Sequence, residues 1–267
     1  MKIAVCLSGQ LRTWKQCYET WNELFDQLRK SPQFMHEGIT VDYFVHTWDF
    51  NSMPYAVWTK KQWDEGKFHS TFEQPPTEGV LPADLDEFIN TIKPKQYMVE
   101  NIFKSISRKQ HLDDRMIFRM NDTTKWAPIS WSGAQLYGIM MAAKLKRDEE
   151  IATGVQYDVV MRMRTDLHFD YLNKMIFSNE FVRPAKKTVY ACHSFNTDYF
   201  PHDAVGDIFF YADSITYDMV ANTFNHLPQI SPDIFPFDVK VESIMAYMLR
   251  MFDIKNVRLS LDPEVRR

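Results

Sequence analysis

Three strand-like runs that each end in a polar cluster constrain this chain more than any other feature. The first, Ile3 to Leu7, runs into Ser8-Gly9-Gln10-Leu11-Arg12. The second, Val41 to Val45, runs into His46-Thr47-Trp48-Asp49, and the third, Tyr157 to Arg162, into Met163-Arg164-Thr165-Asp166-Leu167. The third is almost continuously apolar, as a central strand covered on both faces must be. Between the first two, Cys17, Tyr18, Trp21, Leu24, Phe25 and Leu28 recur at helical spacing behind a cap at Thr13. Strand, helix, strand in that order opens a parallel sheet with a crossover helix.

The remaining pattern extends that sheet. A short helix is expected near Ala83 to Ile92 and a strand near Gln96 to Val99. A long helix capped by Ser130 or Ser132 reaches about Glu150, with Leu136, Ile139, Met140, Ala143 and Leu145 on or near its buried side. Strands are expected near Thr188 to Cys192 and Asp207 to Tyr211, then a helix capped by Asp213. A last helix over about Val239 to Phe252 precedes a terminal strand at Val257 to Leu261. Two stretches, about 50 to 82 and 104 to 129, lack clean periodicity, and irregular segments that long are usually functional or mobile. No repeat interrupts the order, so residues 1–267 are expected to form one α/β domain with a mostly parallel sheet flanked by helices.

Composition narrows the chemistry. A net charge of −4 gives no general affinity for polyanions, so nucleic acid is not the expected partner. Cys6, Cys17 and Cys192 are odd in number and widely spaced, which suits a reducing, cytoplasmic setting. No run approaches the ~20 apolar residues of a membrane span. Glycine is scarce, with 8 in 267 residues, where about 7% is usual. Gly133 and Gly138 have the spacing of a phosphate-binding loop, but Ile139 and Met140 follow where Lys and Ser or Thr are required. Any bound phosphate must therefore meet a metal ion or basic side chains.

In open α/β sheets ligands bind at the carboxyl ends of the strands, where the three polar clusters fall. Gly9 lets a backbone approach a base or ribose closely, and Arg12 is suited to phosphate. Asp166, just past a buried strand, is placed to hold Mg²⁺ or Mn²⁺ and through it a diphosphate. Alternation puts Arg162 and Arg164 on the same face as Asp166, so an ion pair at the sheet edge is the other fate open to that carboxylate. Arg164 can also neutralise a diphosphate itself. Trp48 and Trp131 can stack on a base or sugar, or serve the core.

The ordered set "KIAVCLSGQLRTW", "DYFVHTWD" and "YDVVMRMRTDLHF" resembles a family of GT-A-type glycosyltransferases whose members occur in bacteria, phages and large DNA viruses. The likeness runs from residue 1 to about 250. It implies a nucleotide-sugar donor, a divalent cation and a glycan or other hydroxyl-bearing acceptor. Donor contacts then fall to Ser8, Gly9, Gln10, Arg12, His46, Thr47, Trp48, Arg164, Thr165 and Asp166, with Asp166 as the metal ligand. The family's D-x-D stretch matches Arg164-Thr165-Asp166, where arginine replaces the first carboxylate. His193, Asp198, His202 and Asp203 are candidates for a further ligand. An inverting reaction needs a carboxylate base, for which Asp207 is the first candidate and Glu242 the second. Two other classes compete: a sugar-phosphate nucleotidyltransferase, and a noncatalytic carbohydrate-binding or assembly subunit on the same scaffold.

Overall fold

The computed structural model describes residues 1–11, 13–49, 85–100, 131–192, 205–230 and 241–265, with Trp131 and Ser132 described in backbone only. The two expected irregular stretches, about 50 to 82 and 104 to 129, lie outside the described residues. So do Arg12, His193, Asp198, His202 and Asp203.

The central sheet is built from β1 (Lys2–Gly9), β2 (Thr40–Trp48), β3 (Gln96–Glu100), β4 (Val159–Arg164), β6 (Thr188–Ala191), β7 (Phe209–Ala212) and β8 (Lys255–Arg258). A two-stranded sheet pairs β5 (Leu167–His168) with β9 (Glu264–Val265). The helices are α1 (Trp14–Lys30), α2 (Leu85–Ile92), α3 (Trp131–Thr153), α4 (Tyr171–Glu180), α5 (Ser214–Ala221), α6 (Thr223–His226) and α7 (Val241–Met251).

Strand order is β3-β2-β1-β4-β7-β6-β8. β1 pairs parallel with both β2 and β4, and β2 with β3. Among the described strands of this sheet, only β7 runs against its neighbours, antiparallel to β4 and β6, while β6 and β8 are parallel. The expected α/β architecture, a mostly parallel sheet flanked by helices, is what the chain adopts.

Alternation along the strands divides the core between the two faces of the sheet. Ile3, Val5, Leu7, Met161 and Met163 pack with Trp14, Trp21, Leu24 and Leu28 of α1 and with Phe88 of α2 and Phe177 of α4. Ala4, Cys6, Phe44, Val160 and Phe210 pack on the other face with Leu136, Tyr137 and Ile139 of α3 and with α5 and α7. Trp21 does more than fill space. Its indole N–H donates to the carbonyl of Leu167 at 2.5 Å, tying α1 to β5 just beyond Asp166.

Local signals explain where several elements begin. Asp213 caps α5 as expected, accepting from the backbone N–H of Ile215 and Thr216. Asp170 does the same for α4 through Asn173. The strand expected from Asp207 starts two residues later, because Asp207 and Ile208 form a turn ahead of it. Among the described residues, no helix is long and apolar enough to cross a membrane.

Candidate functional site

The chain leaves β1 toward β2 and β3 on one side, then crosses back through α3 to lay β4 on the other side of β1. That reversal is the topological switch point, where a doubly wound sheet opens a crevice at its carboxyl edge. Register brings the three polar strand ends together at this point. Ser8 lies opposite His46 on β2 and opposite Arg164 on β4, and Gly9 lies opposite Thr47.

Two threonines lock the tip of β1. The Thr47 hydroxyl donates to the Gly9 carbonyl at 2.8 Å, and the Thr165 hydroxyl donates to the Gln10 carbonyl at 2.6 Å. Both side chains are buried, so these two expected donor contacts position the strand tip with their hydroxyls. Gly9 itself has φ of +139°, a conformation L side chains rarely adopt, and a Cβ there would lie 3.1 Å from Thr165 Oγ1.

On the β2 side, His46 is fully buried and its Nε2 lies 3.0 Å from Glu100 Oε2 at the end of β3. The Tyr137 hydroxyl of α3 donates to the same carboxylate at 2.9 Å. Burial, with the hydrogen bond to Glu100, pushes the Tyr137 phenol well above its ordinary range, so it stays a donor. Trp48 is buried and stacks on Tyr137, with ring centroids 5.8 Å apart and planes at 21°. The indole expected to meet a base or sugar is thus packed into the core beside His46. Gly138 allows α3 to press onto this floor, since a Cβ there would stand 3.3 Å from Ser8 Oγ and from His46 Nδ1. Glu100 follows the short apolar run Tyr97-Met98-Val99 at the end of β3, a weaker form of the signal that marks the other strand ends, whereas Tyr137 lies inside a helix where that signal does not exist.

On the β4 side, the end of the strand carries a cluster of charge. Arg164 meets Asp166 through two parallel bonds, Nε to Oδ1 at 2.8 Å and Nη2 to Oδ2 at 2.9 Å. Arg162 lies deeper and is fully buried, and its Nη1 donates to the carbonyls of Ser8, at 3.1 Å, and of Met163. Burial, with the neighbouring Arg164 charge acting in the same direction, lowers the Arg162 pKa to about 10. Asp207, just before β7, accepts from the Gln135 side-chain amide of α3. Burial raises the Asp207 pKa, although both arginines pull it back. Four groups, Arg162 and Arg164 of β4, Asp166 of the turn after it and Asp207 of the turn before β7, therefore share one electrostatic environment. Glu242 sits elsewhere in sequence, in the first turn of α7, half-buried between Val241 and Ser243. Gln10 is buried next to the locked tip of β1.

A divalent cation at Asp166 was one expectation. Both carboxylate oxygens face the Arg164 guanidinium, and no group of three His, Cys, Asp or Glu among the described residues is placed to hold a metal ion. The described residues, as arranged, do not fit the ion.

The site and sheet define a class: an open, mostly parallel α/β sheet with charged side chains gathered at its switch point. No family model matches the chain, and no curated protein matches it. Among solved structures it is similar to a glycosyltransferase involved in the glycosylation of the major capsid of PBCV-1. There the identity is 9%, the match covers 97% of this chain and 82% of that one, and the TM-score is 0.40. It is also similar to mouse xyloside xylosyltransferase 1 in its apo form, at 6% identity, covering 97% and 85%, with a TM-score of 0.39. Likeness this distant decides nothing about what the chain binds or makes.

Proposed function

We propose that the chain is a glycosyltransferase that moves a sugar from a nucleotide-sugar donor to a hydroxyl of a glycan or glycoconjugate acceptor. The observation that carries this reading is the meeting of three polar strand ends at the switch point, with Ser8 between His46 and Arg164. The resemblance of the same three stretches to GT-A-type enzymes points the same way.

Sugar transfer makes two demands of a protein, and the crevice has a candidate for each. As the acceptor oxygen attacks the anomeric carbon, the bond to the diphosphate breaks and its electron pair leaves with the nucleotide. A cation placed before the reaction stabilises that growing charge, and Arg164 is the partly exposed cation of the site. In an inverting reaction the acceptor proton passes to a carboxylate. Asp207 is the proposed base: it shares the environment of Arg164, and its raised pKa brings it nearer to neutrality than an ordinary aspartate. Glu242 is the second candidate. Ser8 and Gly9 form the floor for the donor, and Arg12 would add positive charge beyond the tip of β1.

Thermal melts of the whole chain with UDP, GDP and CMP, and separately with glycans alone, test this reading. A nucleotide at a hundredfold excess over its dissociation constant stabilises by about 2.7 kcal/mol. Stabilisation by one nucleotide, together with slow hydrolysis of its sugar conjugate, is the expected result. Stabilisation by glycans and by no nucleotide would instead make the chain a carbohydrate-binding subunit.

A further inference from the structure

The Arg164–Asp166 pair is not symmetrical toward solvent. The Asp166 side chain is 3% exposed and the Arg164 side chain 23%, so the carboxylate is sealed off and the arginine is the member of the pair that solvent reaches. Two parallel bonds fix the plane of that guanidinium against the carboxylate. Arg162 sits two residues earlier on the same face and is held by backbone carbonyls. A metal ion at Asp166 would have to displace one guanidinium and then stand beside two, and like charges at that range repel strongly.

We propose that Arg164, oriented by Asp166 and backed by Arg162, takes the place of a divalent cation at this strand end, so that the chain binds a nucleoside diphosphate without metal. The inference rests on the transferase reading above and adds to it the means of charge neutralisation. Arginine suits the task because its planar fork matches a pair of phosphate oxygens. Asp166 then acts as a positioning residue that keeps the fork aimed outward.

Titration calorimetry of the full chain with UDP and with GDP, in EDTA and in excess Mn²⁺, tests the proposal. The expected affinities in the two buffers agree within about twofold. Arg164→Gln is expected to weaken binding of the diphosphate by roughly 10- to 100-fold while leaving the corresponding nucleoside, uridine or guanosine, unaffected. A purely structural role for Arg164 would not produce that split. Arg164→Lys keeps the charge without the fork, serves if the first variant does not fold, and is expected to show a smaller loss in the same direction. Binding that appears only with Mn²⁺ would overturn this proposal and leave the transferase reading standing. Metal-independent binding that neither substitution alters would also overturn it. Absence of nucleotide binding in every buffer would overturn both.

Discussion

Thr165 Oγ1 stands 3.1 Å from the point where a Cβ on Gly9 would lie, and the same hydroxyl donates to the carbonyl of Gln10. The segment after β4 is therefore closed onto the tip of β1, and the closure requires the missing side chain. Gly9→Ala meets both the crowded hydroxyl and a φ of +139°. We expect it to cost about 1–3 kcal/mol in urea unfolding. A variant as stable as the parent would show that the tip is free to relax.

Gly138 poses the same question from below. Alanine is the better helix former by about 1 kcal/mol, which offsets part of any crowding against Ser8 and His46. Gly138→Ala should therefore change the melting temperature little while weakening nucleotide binding, because the floor of the crevice shifts. Calorimetry that finds unchanged affinity would separate Gly138 from the site.

Asp166→Asn keeps the shape of the side chain and removes the charge that orients Arg164. We expect a folded protein whose turnover falls by about 10²-fold or more, the cost of misplacing one positioned group. Full activity in the folded variant would remove Asp166 and its partner from the mechanism.

Asp207 gives a pH prediction. Its folded pKa is raised by burial, so it holds its proton more tightly folded than unfolded. Its contribution to stability is then complete below the unfolded carboxylate value and is lost as pH rises through the folded one. Asp207→Asn should abolish that loss in melts run across the acid range. As a base Asp207 acts only when ionised, so kcat/KM should fall on acidification at a pH above the usual carboxylate range. The Asn variant is expected to lose about 10²- to 10⁴-fold in turnover. A folded Asn variant with normal kcat/KM would pass the role to Glu242.

A fifth substitution separates scaffold from site. Lys146 of α3 is fully buried, with its ammonium 2.8 Å from Glu150 Oε2, 2.9 Å from Asp218 Oδ1 and 2.5 Å from Ser214 Oγ. Lys146→Met leaves those carboxylates without their cation and should cost about 3–5 kcal/mol of stability. Below its lowered melting point, the variant should bind nucleotide normally. Weakened binding there would mean that this network also shapes the crevice.

Much of the fold was legible because buried strands and amphipathic helices carry local periodicity. Ile3 to Leu7, the stripe from Cys17 to Leu28 and the cap at Asp213 all announce themselves within a few residues. α4 did not, for a physical reason. Its large apolar residues Tyr171, Leu172 and Met175 are exposed, while its buried residues include Asn173 and Lys174. β5 and β9 are two residues each and exist only through their pairing. At the site, the position of the strand ends could be read from the chain, but the direction of each side chain could not. Thr47 turns to Gly9 and Trp48 to Tyr137 because of neighbours supplied by other elements. Glu100 reaches His46 through the register of β2 and β3, a non-local fact.

The central claim is that the crevice over β1 and β4 receives the diphosphate of a nucleotide sugar. A crystal structure with a nucleotide sugar bound tests it most directly. The account expects a phosphate oxygen about 3 Å from the Arg164 guanidinium, with the donor lying over Ser8 and Gly9. A nucleotide sugar bound elsewhere, with no phosphate near Arg164, would contradict the account.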